Sequence, residues 1–158
     1  MHWQAVQSKG NRYDLSHIHP HEFRYQRNDL AITVRVTYGF HVFTDEKADG
    51  DLIRYKYEER YFCVSRYDAS FQLRQLIETK MTDAYVVLFL ANKHKEQFYY
   101  LDIHDYTVFF ELRKADQHTL KCHVVSAYIK DRWGNLPRGK RYKWDFIAHA
   151  KMNELKIK

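Results

Sequence analysis

The sequence predicts an α+β domain: a mainly antiparallel, twisted sheet with one central helix at about residues 69–80 and a C-terminal helix packed on it. Three observations carry that reading. Residues 30–43 alternate apolar with polar at a strand's period of two, three further strand-like runs follow between 98 and 129, and the stretch behind Asp68 has helical spacing.

In chain order, residues 1–29 are polar and His-rich, with a break at His19–Pro20. In the next run Ile32, Val34, Val36, Tyr38, Phe40 and Val42 share one face of a strand, and Thr33, Arg35, Thr37, Gly39 and His41 share the other. Asp45–Asp51 is a turn that pivots at Asp49–Gly50. Leu52–Ser65 reads as an interrupted strand returning from it. Asp68 is a good N-cap, and Leu73, Leu76, Ile77 and Lys80 behind it recur at helical spacing. Ala84–Ala91, rich in Val and Phe, leans to strand. Strands are expected at Phe98–Ile103, Thr107–Arg113 and Leu120–Ile129, the last two joined as a hairpin through Lys114–His118. In Arg141–Lys156, Trp144, Ile147, Ala148 and Met152 line one face of a closing helix.

The 158 residues suit one domain, 1–158, with the polar segment 1–29 and the basic segment 130–158 as its appendages. Five Gly and two Pro leave no linker or low-complexity stretch, and 26 aromatic residues argue for a packed core. Two cysteines cannot make a disulfide framework, so a reducing, cytoplasmic setting is expected. No apolar run is long enough to span a membrane, and the first nine residues lack the apolar core of a secretion signal. The charge is unevenly spread. Residues 1–129 balance 17 Lys/Arg against 17 Asp/Glu, whereas 130–158 hold nine against three and carry the whole net charge of +6. Such a segment suits nucleic acid, an anionic surface or an acidic partner, and equally a plain solvated surface.

Five groups of residues could carry chemistry. His17, His19 and His21 would project from one side of an extended segment and could hold a borderline metal, although no Cys pair or carboxylate stands at a recognised spacing. Solvated loop histidines account for them more simply, so no metal or other cofactor is expected. His41 and His123 both sit on the more polar faces of strand patterns. Two such imidazoles are what RNA cleavage without metal needs, one to take the 2′-hydroxyl proton and one to protonate the leaving 5′-oxygen. Ser126 and Tyr128, which strand alternation places with Cys122 and Val124, could position a phosphate through their hydroxyls. Arg60 and Arg66 lie in an apolar-aromatic segment; Arg60 reads as the partner of Glu58 or Glu59, and Arg66 as that or as a phosphate ligand. Finally, Arg132, Arg138, Lys140, Arg141 and Lys143 interleave with aromatic residues including Trp144, as in single-strand nucleic-acid binders. Tryptophans packed on a core would give the same pattern. Walker A, dinucleotide-fold glycines, a nucleophile elbow and paired C-x-x-C are all absent.

The run Tyr106–Lys114, a short turn and Leu120–Tyr128 together resemble the terminal hairpin of small prophage ribonucleases of the broad barnase, EndoU, colicin and RelE-like group. The likeness covers about residues 98–130 and includes the triplet Ser126-Ala127-Tyr128. It implies a helix packed on an antiparallel sheet, metal-independent RNA cleavage, and a site at Ser126 and Tyr128 with His123 beside them. The expectation is therefore a toxin- or phage-linked ribonuclease with RNA as partner. The alternative is a non-catalytic module that binds nucleic acid or protein, for example an inhibitor of a host factor.

Overall fold

The computed structural model of the chain describes residues 2–27, 29–91, 96–130 and 134–157. Twelve strands and three helices are formed by these residues. A hairpin of β1 (Val6–Ser8) and β2 (Asn11–Tyr13) opens the chain and turns at Lys9–Gly10, both with positive φ. Then come β3 (His21–Arg27), β4 (Leu30–His41), β5 (Thr44–Asp45), β6 (Leu52–Tyr55) and β7 (Glu58–Phe62). Helices α1 (Val64–Ser70) and α2 (Leu73–Thr79) follow. The chain continues through β8 (Tyr85–Ala91), β9 (Glu96–Ile103), β10 (Tyr106–Asp116) and β11 (Thr119–Ile129), and ends on β12 (Lys140–Lys143) and α3 (Trp144–Met152).

The main sheet has seven strands in the order β12-β8-β9-β10-β11-β4-β3. Every pairing is antiparallel except β11 with β4. The α+β class and mainly antiparallel sheet expected from the sequence are therefore present. One face of the sheet is apolar, as β4 shows: Ile32, Val34, Val36, Tyr38 and Phe40 are all buried. Leu73, Leu76 and Ile77 of α2 and Trp144, Ile147 and Ala148 of α3 join them in one continuous core. The sheet curls around α3 until its edges approach. Arg27 at the end of β3 bonds Asp83 at 2.6 Å and Asp145 at 3.3 Å, and Tyr25 packs edge-on against Trp144.

Several boundaries differ from the sequence reading. The single helix at 69–80 is two short ones, and Asp68 lies inside α1 and does not cap it. The Ser70 hydroxyl turns back to donate to the Tyr67 carbonyl at 2.6 Å, a local bond that competes with helix propagation. The interrupted strand expected over Leu52–Ser65 is present, broken at Lys56–Tyr57 into β6 and β7, but it ends at Phe62 because α1 starts at Val64, and with β5 it forms a separate sheet in the order β5-β7-β6. Residues 141–143 belong to edge strand β12, so the closing helix starts only at Trp144. The polar N-terminus contributes a strand of the main sheet and two fully buried residues, Leu15 and Ile18, to the core.

Candidate active site

The parallel pairing of β4 with β11 decides which side chains meet. Thr37 is opposite His123, Tyr38 opposite Val124, and His41 opposite Ser126. Strand alternation puts Thr37, Gly39 and His41 on the face away from the core, and all three are half-buried. His123 shares that face with its partner Thr37.

Plain alternation would send Ser126 and Tyr128 to the core side with Cys122. A bulge at Val125 corrects that expectation. Against β10, Phe110 pairs with Val124 and Phe109 with Ser126, which leaves Val125 unpaired. The extra residue reverses the alternation. Cys122, Val124 and Ala127 are buried, while His123, Ser126 and Tyr128 are half-exposed on the outer face. His41, His123, Ser126 and Tyr128 are thus brought to one face.

His41 and His123 line the same pocket of about 460 Å³, together with Thr37, Gly39, Lys56 and Glu58. Each ring has a separate anchor. His41 Nε2 donates to the Glu58 carboxylate at 2.6 Å. His123 Nδ1 lies 2.7 Å from the Thr37 hydroxyl. Its Nε2 leans along the strand toward Gly39, 3.2 Å from where a β-carbon would stand. The glycine is therefore the floor over which His123 reaches. From the level of Gly39 to His41 is two residues, roughly 7 Å along a strand. Burial holds the His123 imidazole below its ordinary value of 6.5, and the neighbouring Glu111 carboxylate only partly opposes that.

Lys56 enters the pocket from the β6–β7 turn with a left-handed backbone, φ 54°, which is costly for a residue with a β-carbon. The sequence singles out neither Lys56 nor, except as a partner for Arg60, Glu58, because nothing in their spacing ties that turn to β4. The turn has no local signal, since Lys56–Tyr57 lacks the Gly, Asn or Asp that such turns favour and charged residues 58–60 follow it directly.

Arg66, expected as a phosphate ligand or a sheet-surface ion pair, spends Nη1 on two backbone carbonyls, His41 O and Thr44 O, each at 2.8 Å. Its guanidinium also sits 4.8 Å over the Tyr128 ring. Arg60 is buried and bonds Thr44 and, at 3.6 Å, Glu46. Glu58 and Glu59, its expected partners, are instead taken by His41 and Arg54.

In the basic segment Arg138, Lys140, Arg141 and Lys143 are exposed, and the last two place their charges over the Tyr85 ring. Trp144 is fully buried and cannot stack on a base, because the outward cations lie on β12 while the next residue opens a helix tucked inside the sheet. Arg132 lies outside the described residues.

The N-terminal histidines do not form a row. A 3-10 turn at Ser16–Ile18 breaks the extended path, and each ring takes its own partner. His17 donates to Ser70 at 2.6 Å and stacks on Phe71. His19 donates to the Trp3 carbonyl at 3.0 Å. His21 lies between Glu78 at 2.9 Å and the Tyr38 hydroxyl at 2.7 Å. Among the described residues no group of three His, Cys, Asp or Glu side chains is placed to hold a metal ion. Cys122 is fully buried, which pushes its thiol up to about 12 and leaves it a poor nucleophile at neutral pH. No helix among the described residues is long and apolar enough to cross a membrane.

A family model for the YjaZ family matches residues 5–152, nearly the whole chain, and the chain belongs to that family. No curated protein and no solved structure matches it.

Proposed function

We propose that this protein is a ribonuclease that cleaves RNA without metal, by general acid–base catalysis at His41 and His123. The observation that carries the reading is the meeting of the two imidazoles in one pocket, on either side of the Gly39 backbone and with different anchors.

The anchors divide the roles. A base must start neutral, and burial favours the neutral form of His123. With its Nδ1–H donated to Thr37, the Nε2 lone pair faces the pocket and takes the 2′-hydroxyl proton. The 2′-oxygen then attacks the adjacent phosphorus. A bond forms from O2′ to phosphorus, the bond to O5′ breaks, and a 2′,3′-cyclic phosphate remains. His41, protonated, delivers the proton to O5′ from Nδ1, while Glu58 keeps Nε2–H and fixes the ring. Lys56 supplies the cation that steadies charge on the non-bridging oxygens. The two imidazoles and the lysine cover every proton and charge in the step. The resemblance of the β10–β11 hairpin to prophage ribonucleases points the same way, and RNA is the partner the reading requires.

The test is tag-free protein incubated with single-stranded RNA in EDTA, beside His41→Ala and His123→Ala. Native protein should give cyclic-phosphate ends, and each variant should lose about 100-fold or more in rate. Equal cleavage by all three proteins overturns the assignment. No cleavage by any of them, with RNA binding that weakens steeply as salt rises, leaves the non-catalytic binding module in its place.

A further inference from the structure

A second cavity, of about 250 Å³, lies beside the turn that follows β4. Three cations line it, Lys47, Arg66 and Lys130, against one carboxylate, Asp45; Ser65 and Asn135 add neutral polar groups. Beneath it two guanidiniums converge on a single oxygen. Arg60 Nη2 reaches Thr44 O at 3.0 Å and Arg66 Nη1 reaches it at 2.8 Å. Like charges held so close in half-buried surroundings repel. The nearby carboxylates offset this in part: the Asp45 carboxylate attracts Arg66 while accepting the Lys47 backbone N–H at 3.0 Å, but the Glu46 side chain is 87 % exposed and 3.6 Å from Arg60 and so contributes little. Arg66 cannot swing away, because it also holds the His41 carbonyl and lies over Tyr128. Tyr128 in turn stacks on Phe109, with ring centres 5.6 Å apart, so its ring is already engaged on the sheet.

We propose that this cavity is a phosphate-binding subsite that takes the RNA phosphate one nucleotide away from the bond held between His41 and His123. The class of ligand follows from the walls: one anchored guanidinium, two lysines, hydroxyl and amide groups, and a Tyr128 ring already taken by Arg66 and Phe109. Guanidinium suits phosphate because its planar fork presents several donors to the oxygens. The spacing follows from β11. Ser126 is opposite His41, and Tyr128 is two residues further on, roughly 7 Å along the strand, within reach of a single nucleotide. The cavity's occupant also bears on catalysis, since Arg66 grips the carbonyl of His41 itself.

The substrate side of this proposal rests on the ribonuclease reading, and its test separates the two. Arg66 also holds backbone, so the variants are Lys47→Glu and Lys130→Glu, singly and together, with Arg24→Glu/Lys80→Glu, at exposed cations outside the basic tail, as the control. One arm titrates inorganic phosphate into the full chain by calorimetry. The other titrates a single-stranded RNA with a 2′-O-methyl group on each ribose, which has no free 2′-hydroxyl and cannot be cleaved. If the phosphate comes from RNA, the double variant should weaken oligonucleotide binding about 100-fold. It should also reduce the slope of log affinity against log salt by about two. If the site also takes free phosphate, the first arm should show one-to-one binding that the double variant abolishes and the control keeps. Binding in both arms unchanged by Lys47→Glu/Lys130→Glu overturns the subsite. Loss of binding in those variants, from a native protein that cleaves nothing, keeps the subsite and overturns only the cleavage reading.

Discussion

Gly39→Ala is the sharpest probe of the site, because it adds one methyl group between the two catalytic candidates. The added β-carbon would meet His123 Nε2 and Val125 O at 3.2 Å and Val124 O at 3.3 Å. Ordinary van der Waals contact begins at 3.4 Å, so something must give by a few tenths of an ångström. The two carbonyls belong to the bulged backbone of β11. The imidazole is the softer neighbour and should move. The fold should tolerate this. Alanine in a strand interior gains about 0.5–1 kcal/mol over glycine, largely by restricting the unfolded chain, and the tight contacts remove a similar amount. The melting temperature should therefore stay within about 4 °C of native. Catalysis should tolerate it less well: misplacement of a reacting group by about 1 Å costs on the order of 100-fold, so a shift of a few tenths of an ångström should cost about fivefold, or about 1 kcal/mol of barrier. The assay is kcat/KM on a fluorogenic oligoribonucleotide in EDTA, with a thermal melt of the same sample. A variant that melts normally and cleaves within twofold of native would refute the assignment of His123 Nε2 as the proton acceptor.

Three further outcomes follow from the same geometry. Burial lowers the imidazoles of His17, His21 and His123 from 6.5, so the unfolded chain takes up protons first; stability should be full above pH 6.5 and fall as pH drops below it, and urea midpoints that stay flat from pH 7 to 5 would contradict this. Trp144→Ala should cost about 3–5 kcal/mol by emptying the centre of the core, whereas Arg141→Ala on the surface should stay within about 0.5 kcal/mol; equal urea midpoints for the two would refute the buried placement. Lys56→Gly should relieve about 1 kcal/mol of left-handed backbone strain while losing the pocket's cation, so it should melt no lower than Lys56→Met and cleave as poorly as that variant.

The strands were legible because their chemistry is local. The apolar alternation of β4 and the β10–β11 hairpin need no knowledge of the rest of the chain. The helix at 69–80 was half legible. Its buried positions Leu73, Leu76 and Ile77 show the period, but the Ser70 back-bond that ends α1 is invisible in a hydrophobicity pattern. Trp144 shows the limit of reading composition. Basic and aromatic residues alternate along 138–144 because a surface strand passes directly into a buried helix, and a binding surface would give the same letters. That the proposed pair His41 and His123 lie in one pocket was beyond reach, since they are 82 positions apart in the chain and the partner of β4 is chosen by the packing of the whole sheet. The bulge at Val125 was hidden for a related reason. A bulge is a mismatch between two strands, and neither strand alone records it.

These hidden features share a physical character. The parallel pairing of β4 with β11, the bulge at Val125, the strained Lys56 turn and the half-buried His123 all border the pocket that holds His41. Each is costlier than its regular alternative: parallel ladders are slightly weaker per residue, a bulge leaves a residue unpaired, and a left-handed lysine is strained. A core selected for stability alone would have no reason to gather them. Local rules also yield elsewhere, at the left-handed Ala48, His104, Asp105 and Glu154 and at a second irregularity of the β10–β11 ladder near Lys114–Asp116, but those places do not bring two imidazoles, a carboxylate and an ammonium into one pocket. A single patch where several local rules yield together, and where two imidazoles, a carboxylate and an ammonium converge, is where chemistry would be expected on physical grounds alone. On this argument the site is the pocket and not the basic tail. Under the proposed ribonuclease reading the tail's excess of positive charge would gather the polyanion, and cleavage should fall with salt through KM far more than through kcat.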